Sequence, residues 1–82
     1  MPTKLLVTGL AWETTEDGLR DAFSEFGEVV GSIVMKDRET GRSRGFGFIT
    51  FSSVEAASAA THALNERELD NRVIHIQPAP RR

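Results

Sequence analysis

The sequence predicts an α+β sandwich of order β-α-β-β-α-β, with four antiparallel strands and two helices on one face of the sheet. Three observations predict it. Arg44-Gly45-Phe46-Gly47-Phe48-Ile49-Thr50-Phe51 reads as a strand, and successive side chains of a strand point to opposite faces. Leu19, Ala22, Phe23 and Phe26 recur at i, i+3, i+4, i+7, the apolar stripe of an amphipathic helix. Turn chemistry at Thr40-Gly41 and Asp70-Asn71, with Gly27 after the first helix, cuts the chain into pieces of strand and helix length.

Taken in order, Lys4 to Thr8 is the first strand, closed by Gly9. Glu13-Thr14-Thr15-Glu16-Asp17 is a helix-start signal, with Thr14 or Thr15 as N-cap and acids in the first turn. Gly27 is placed to end that helix in a left-handed cap. Val29 to Lys36, rich in β-branched residues, is the second strand. The charged segment Asp37 to Ser43 is an exposed turn leading into the third strand. Ser52 or Ser53 caps a second helix, whose inward stripe reads Val54, Ala57, Ala60 or Thr61, and Leu64. Val73 to Gln77 is a short last strand, stopped by Pro78 and Pro80. This is the ferredoxin-like order, which hosts many activities and does not name one.

The bulk properties narrow the field. Eighty-two residues leave room for one domain, here 1–82 with a core over 4–79 and a short basic tail over 80–82. The chain has no Cys, which excludes disulfides, a cysteine nucleophile and thiolate-bound zinc. The opening Met1-Pro2-Thr3-Lys4 followed by a short apolar run suits neither a signal peptide nor a membrane span. The net charge of −2 is unevenly distributed. Glu13, Glu16, Asp17, Asp21, Glu25 and Glu28 crowd the first helix, whereas Lys36, Arg38, Arg42 and Arg44 surround the turn before the third strand. Segregated sign gives one face a usable positive potential despite an acidic total.

Within the third strand, Phe46, Phe48 and Thr50 share one face and Ile49 and Phe51 the other. A sheet covered on one side needs one apolar face only. Two rings on the second face call for a ligand, and unpaired bases that stack on aromatic side chains supply one.

On these residues the chain resembles the RNA recognition motif (RRM) family over essentially all of residues 4–79. The octapeptide Arg44–Phe51 fits the family pattern of basic, Gly, aromatic, small, aromatic, β-branched apolar, any, aromatic. The second motif reads Leu5-Leu6-Val7-Thr8-Gly9-Leu10 on the first strand. The phrase from Asp37 to Phe48 is similar to the heterogeneous nuclear ribonucleoprotein and glycine-rich RNA-binding branch. The resemblance implies that Phe46 and Phe48 stack on bases and that Arg44 contacts a phosphate. It implies that Lys4 reaches the nucleic acid, that Ile33 and Met35 make apolar base contacts, and that His75, Gln77 and the backbone around Ala79 meet base edges. Leu6 departs from the pattern, because the family usually carries a third aromatic ring there.

Other residues have plainer readings. Phe23, Phe26 and Phe51 fall on core stripes, and His62 reads as a surface residue of the second helix. Trp12, in the loop after the first strand, reads as a cap on the core edge, with base stacking as the rival reading. The two histidines have no spacing partner for metal, and Gly45-Phe46-Gly47 is too short for a dinucleotide fingerprint, so no enzyme and no cofactor are expected.

The expected function is therefore binding of single-stranded RNA, with single-stranded DNA as a second candidate ligand, in the service of RNA processing or regulation. Lys4, Lys36, Arg42, Arg44 and Arg82 are expected to draw in the phosphodiester backbone. The rival expectation is an RRM that docks a protein partner through the sheet or the acidic helix. A monomeric, non-membrane domain is expected, inside the cell in nucleus, cytoplasm or an organelle.

Overall fold

A computed structural model describes residues 2–80. Thr3–Thr8 forms β1, Glu16–Ser24 α1, Val29–Lys36 β2, Ser43–Phe51 β3 and Val54–Leu64 α2. A two-stranded hairpin of β4 (Glu68–Leu69) and β5 (Arg72–Val73) precedes β6 (His75–Pro78). The main sheet runs β2-β3-β1-β6 with every pair antiparallel, which is the ferredoxin-like sandwich the sequence predicts.

Both helices start where the sequence offers an oxygen. The Thr15 hydroxyl accepts the Gly18 N–H at 3.0 Å and the Ser53 hydroxyl accepts the Ala56 N–H at 3.2 Å, satisfying amides that have no partner within the helix. Leu19 and Phe23 of α1, and Ala56, Ala57 and Ala60 of α2, pack on Leu5, Val7, Val34, Ile49, Phe51 and Ile76 from the covered face of the sheet. The Phe23 and Phe51 rings meet at 6.3 Å, tilted by 47°. The core thus lies wholly on one side of the sheet and leaves the other side uncovered.

Each outer strand gives one amide to a side chain. The Val34 N–H on β2 donates to the Glu16 carboxylate at 2.9 Å, and the Ile76 N–H on β6 donates to Asn65 Oδ1 at 2.8 Å. Occupied edge amides make poor templates for another strand.

Three expectations are corrected. The last strand is divided, because Ile74 bonds elsewhere: its N–H donates to the Arg67 carbonyl at 3.0 Å and its carbonyl accepts the Glu66 N–H at 2.8 Å. Val73 therefore pairs back with Glu68 through a two-residue turn at Asp70-Asn71, both at positive φ (52° and 69°). Gly27 does not form a left-handed cap. Its backbone passes against α2, where a Cβ would collide with the Ala56 methyl. That approach also sets the rotation of α2, so Ala56 faces inward and Val54 is exposed.

Candidate nucleic-acid interface

Strand register assembles the uncovered face. Residues directly opposite in an antiparallel pair share a face, and their Cβ atoms lie about 4.5–5.5 Å apart. Phe48 stands between Ile33 on β2 and Leu6 on β1, and Leu6 stands opposite Gln77 on β6, making one row across all four strands. Phe46, Thr8 and His75 make the next row, and Thr50 and Lys4 pair in a third. Phe46 and Phe48 are half-buried, with ring centroids 6.2 Å apart and planes at 86°. Ile33 is 47% exposed, and His75 and Gln77 are exposed. The Lys4 ammonium lies 4.6 Å from the Phe48 ring centroid, a cation–π contact.

The alternation of the octapeptide holds from Phe46 onward and breaks before it. Between the pairs Val34–Gly47 and Lys36–Ser43, β2 has the single residue Met35 where β3 has Arg44-Gly45-Phe46. Gly45 takes φ +83° in this bulge, a conformation open to glycine and costly for other residues. Its N–H donates to the Ser43 hydroxyl at 3.1 Å, and its carbonyl accepts the Leu10 N–H at 2.9 Å. A bulge re-aims the strand. Here it delivers Phe46 opposite Thr8 and swings Arg44 toward the loop after β1. Met35, two residues on from Ile33, sits half-buried at the irregularity, and Lys36 stands at the rim beside the first turn of α1.

The basic turn between β2 and β3 is held by Asp37. Its carboxylate accepts the Glu39 and Thr40 N–H groups at 2.8 and 3.2 Å, and the Asp37 N–H donates to the Arg42 carbonyl at 2.8 Å. Those two amides, with a smaller contribution from Arg44, hold the carboxyl below its ordinary value of 3.8. Arg42 and Arg44 are exposed on this turn and its exit. The Ala79 N–H donates to the Lys4 carbonyl at 3.0 Å, so that amide is already engaged. Arg82 lies outside the described residues. Among the described residues, no three His, Asp or Glu side chains gather as a metal site.

Trp12 differs from its expectation of capping the core edge. The Thr14 N–H donates to the Ala11 carbonyl at 3.0 Å, closing a turn whose ends are buried, Ala11 1% and Thr14 4% exposed. The Thr14 hydroxyl donates to Asp70 at 2.7 Å and ties the turn to the β4–β5 hairpin. With both ends fixed inward, Trp12 at the tip points out and is 73% exposed. It borders a cleft of about 410 Å³ together with Gly9, Leu10, Ser43, Arg44, Gly45 and Arg72. Arg72 drew no notice in the sequence, where it follows an ordinary turn pair.

Known proteins share this fold. A family model described as RNA recognition motif matches residues 5–75. The chain belongs to the RNA recognition motif family. The RRM is 56% identical over 79 residues to glycine-rich RNA-binding protein 1 of Mycosarcoma maydis, a match covering 96% of this chain and 45% of that protein. It spans about half or less of the length of curated relatives such as this one and two mitochondrial glycine-rich RNA-binding proteins of Arabidopsis thaliana. Among solved structures, the RNA-binding protein PG1 superposes with a TM-score of 0.92 at 32% identity, covering 98% of this RRM and 96% of that chain. A chain of the SXL-lethal protein/RNA complex superposes at 0.87 with 33% identity, covering 94% of this RRM and 47% of that chain.

Proposed function

We propose that this RRM binds single-stranded RNA on the uncovered face of its sheet, and so serves as an RNA-binding module in RNA processing or regulation. The observation that carries the reading is the pair Phe46 and Phe48, side by side on a face that no helix covers. Their rings stack on roughly two unpaired bases, and stacking tolerates any base because each has a π-face. Ile33 and Leu6 flank Phe48 with apolar contact area. Arg42 and Arg44 hold phosphates without reading sequence, and Lys36 adds charge at the rim.

Lys4 has two states in this mechanism. In the free domain its ammonium rests on the Phe48 ring. A base stacking there displaces it toward the phosphodiester backbone, exchanging an exposed cation–π contact of about 0.5–1 kcal/mol for an ion pair. His75 and Gln77 offer polar groups in the same rows as the rings and supply hydrogen bonds to base edges. The Ala79 amide already serves the Lys4 carbonyl, so side chains carry more of this selectivity than the sequence suggested. A footprint of roughly two to four nucleotides follows, with modest affinity for the isolated domain.

The test is an NMR titration with a degenerate pool of four-nucleotide single-stranded RNAs, run on the wild type and on the Phe46→Ala, Phe48→Ala double variant. Shift changes across β1, β3 and β6 that vanish in the folded double variant are the expected result. Absence of shifts at high RNA concentration would overturn the proposal and favour a protein partner for the face.

A further inference from the structure

Beyond Phe48, away from Phe46, the uncovered face turns polar. Thr50 stands two residues along β3, about 7 Å from Phe48, between Gly31 on β2 and Lys4 on β1. It is half-buried, and among the described residues its hydroxyl has no hydrogen-bond partner. The hydroxyls of Thr14, Thr15, Thr40 and Thr61 are all engaged. A hydroxyl left free on a ligand-facing surface is available to the ligand, and it can both donate and accept.

Gly31 keeps that hydroxyl open. A Cβ built on it would lie 3.5 Å from both Cβ and Oγ1 of Thr50, so a side chain at 31 would cover one flank of the hydroxyl. Neither backbone nor packing demands glycine here, since its φ is outside the left-handed region and the added carbon meets only ordinary contacts. What the missing side chain provides is access.

Charge sets the direction in which a nucleotide lies. Lys36, Arg42 and Arg44 all sit at the Phe46 end of β3, around the bulge and the turn before it. Lys4, toward the other end, is one charge against three and rests on the Phe48 ring. A nucleotide stacked on Phe48 therefore turns its sugar and phosphate toward the three cations. The hydrogen-bonding edge of a base lies opposite its sugar, so that edge points toward Thr50. A pyrimidine is a single ring and ends above Phe48. A purine joins its sugar through the five-membered ring, and its six-membered ring overhangs toward the Thr50 row.

We propose, resting on the RNA reading above, that Thr50 is a specificity-determining residue that selects a purine for the nucleotide stacked on Phe48. Its hydroxyl donates to N1 of adenine or O6 of guanine, or accepts from the adenine amino group or the guanine N1–H. Both purines are served, because the hydroxyl rotates to donate or accept. A pyrimidine in that place stacks without this bond.

Degenerate four-nucleotide RNA pools, one of purines only and one of pyrimidines only, are titrated by NMR against wild type, Thr50→Val, Gly31→Val and the Phe46→Ala, Phe48→Ala double variant. Urea midpoints check that each variant folds. Valine keeps the branched shape of Thr50 and removes its hydrogen bonding. The wild type is expected to bind the purine pool more tightly. Thr50→Val is expected to lose about two- to 13-fold in affinity for that pool, the range of one net hydrogen bond, and nothing for the pyrimidine pool. Gly31→Val, which leaves the hydroxyl in place and covers its flank, should narrow the preference in the same direction. If both pools bind through Phe46 and Phe48 with the same ratio in Thr50→Val as in wild type, any preference comes from stacking alone. The inference is then overturned and the sheet reading stands. Equal weakening of both pools in Thr50→Val marks a merely structural role and also overturns it. Failure of both pools to bind the wild type overturns both readings.

Discussion

Replacing Phe48 with Ala tests whether its ring serves a ligand, as the proposed function requires, or serves the core. In the folded domain Phe48 makes an edge contact with Phe46 at 6.2 Å and carries the Lys4 ammonium at 4.6 Å. The first is worth about 0.5–1.5 kcal/mol and the second about 0.5–1 kcal/mol at an exposed site. Phe48→Ala is therefore expected to cost about 1–2.5 kcal/mol of stability. Phe51, three residues along the same strand and so on its other face, is fully buried against Phe23, and its truncation is expected to cost about 3–5 kcal/mol. Binding should rank the other way. Losing one base stack costs about 1–3 kcal/mol, or about five- to 150-fold in Kd, whereas Phe51→Ala should bind RNA as wild type while it remains folded. Urea unfolding gives the first comparison and fluorescence anisotropy with a labelled degenerate RNA octamer the second. Phe48→Ala as destabilised as Phe51→Ala, or with wild-type Kd, would show that the ring is structural and that the stacking argument is wrong.

Leu6→Phe should tighten RNA binding by about tenfold, toward the lower end of the stacking range, because it places a ring directly opposite Phe48 on the uncovered face; unchanged or weaker binding by calorimetry argues against Leu6 as a contact. Gly27→Ala should destabilise the domain by about 1–3 kcal/mol through collision with Ala56, lowering the urea midpoint while leaving RNA affinity intact. Asp37 has a folded pKa below its ordinary 3.8, so its contribution to the β2–β3 turn is complete above 3.8 and is lost as pH falls through the lower folded value. The Glu39 and Thr40 amide resonances should accordingly shift with a midpoint below 3.8, and a midpoint at or above that value contradicts the assigned hydrogen bonds. Three phosphate contacts from Lys4, Arg42 and Arg44 predict a slope of log K against log salt near about −2, and a slope steeper than about −4 would mean that other cations carry the binding.

Much of the interface is legible because it depends on short-range periodicity. Phe46 and Phe48 stand two residues apart, and any strand places such residues on one face. The caps at Thr15 and Ser53 are equally local, since a hydroxyl reaches an amide three residues on. Gly27 and Val54 were misread for the opposite reason. What matters at Gly27 is Ala56, twenty-nine positions away, and the same contact turns Val54 outward. Ile74 likewise looked like mid-strand sequence, but its backbone partners are Arg67 and Glu66.

Alternation, capping and turn chemistry in the chain specify the order of strands and helices, the side of β3 that bears the rings, and the basic turn before it. Each is settled within a few residues, where backbone sterics and side-chain periodicity act without help. Tertiary contacts settle the rest. Register brings Leu6, Ile33 and Gln77 into line with Phe48, and the bulge at Gly45 turns Arg44 away from the row of rings. The exposure of Trp12 follows from burial of Ala11 and Thr14 and from the bond between Thr14 and Asp70, fifty-six residues distant. Packing between remote segments decides which polar groups find partners and which apolar surfaces are left to solvent, and no local pattern carries that information.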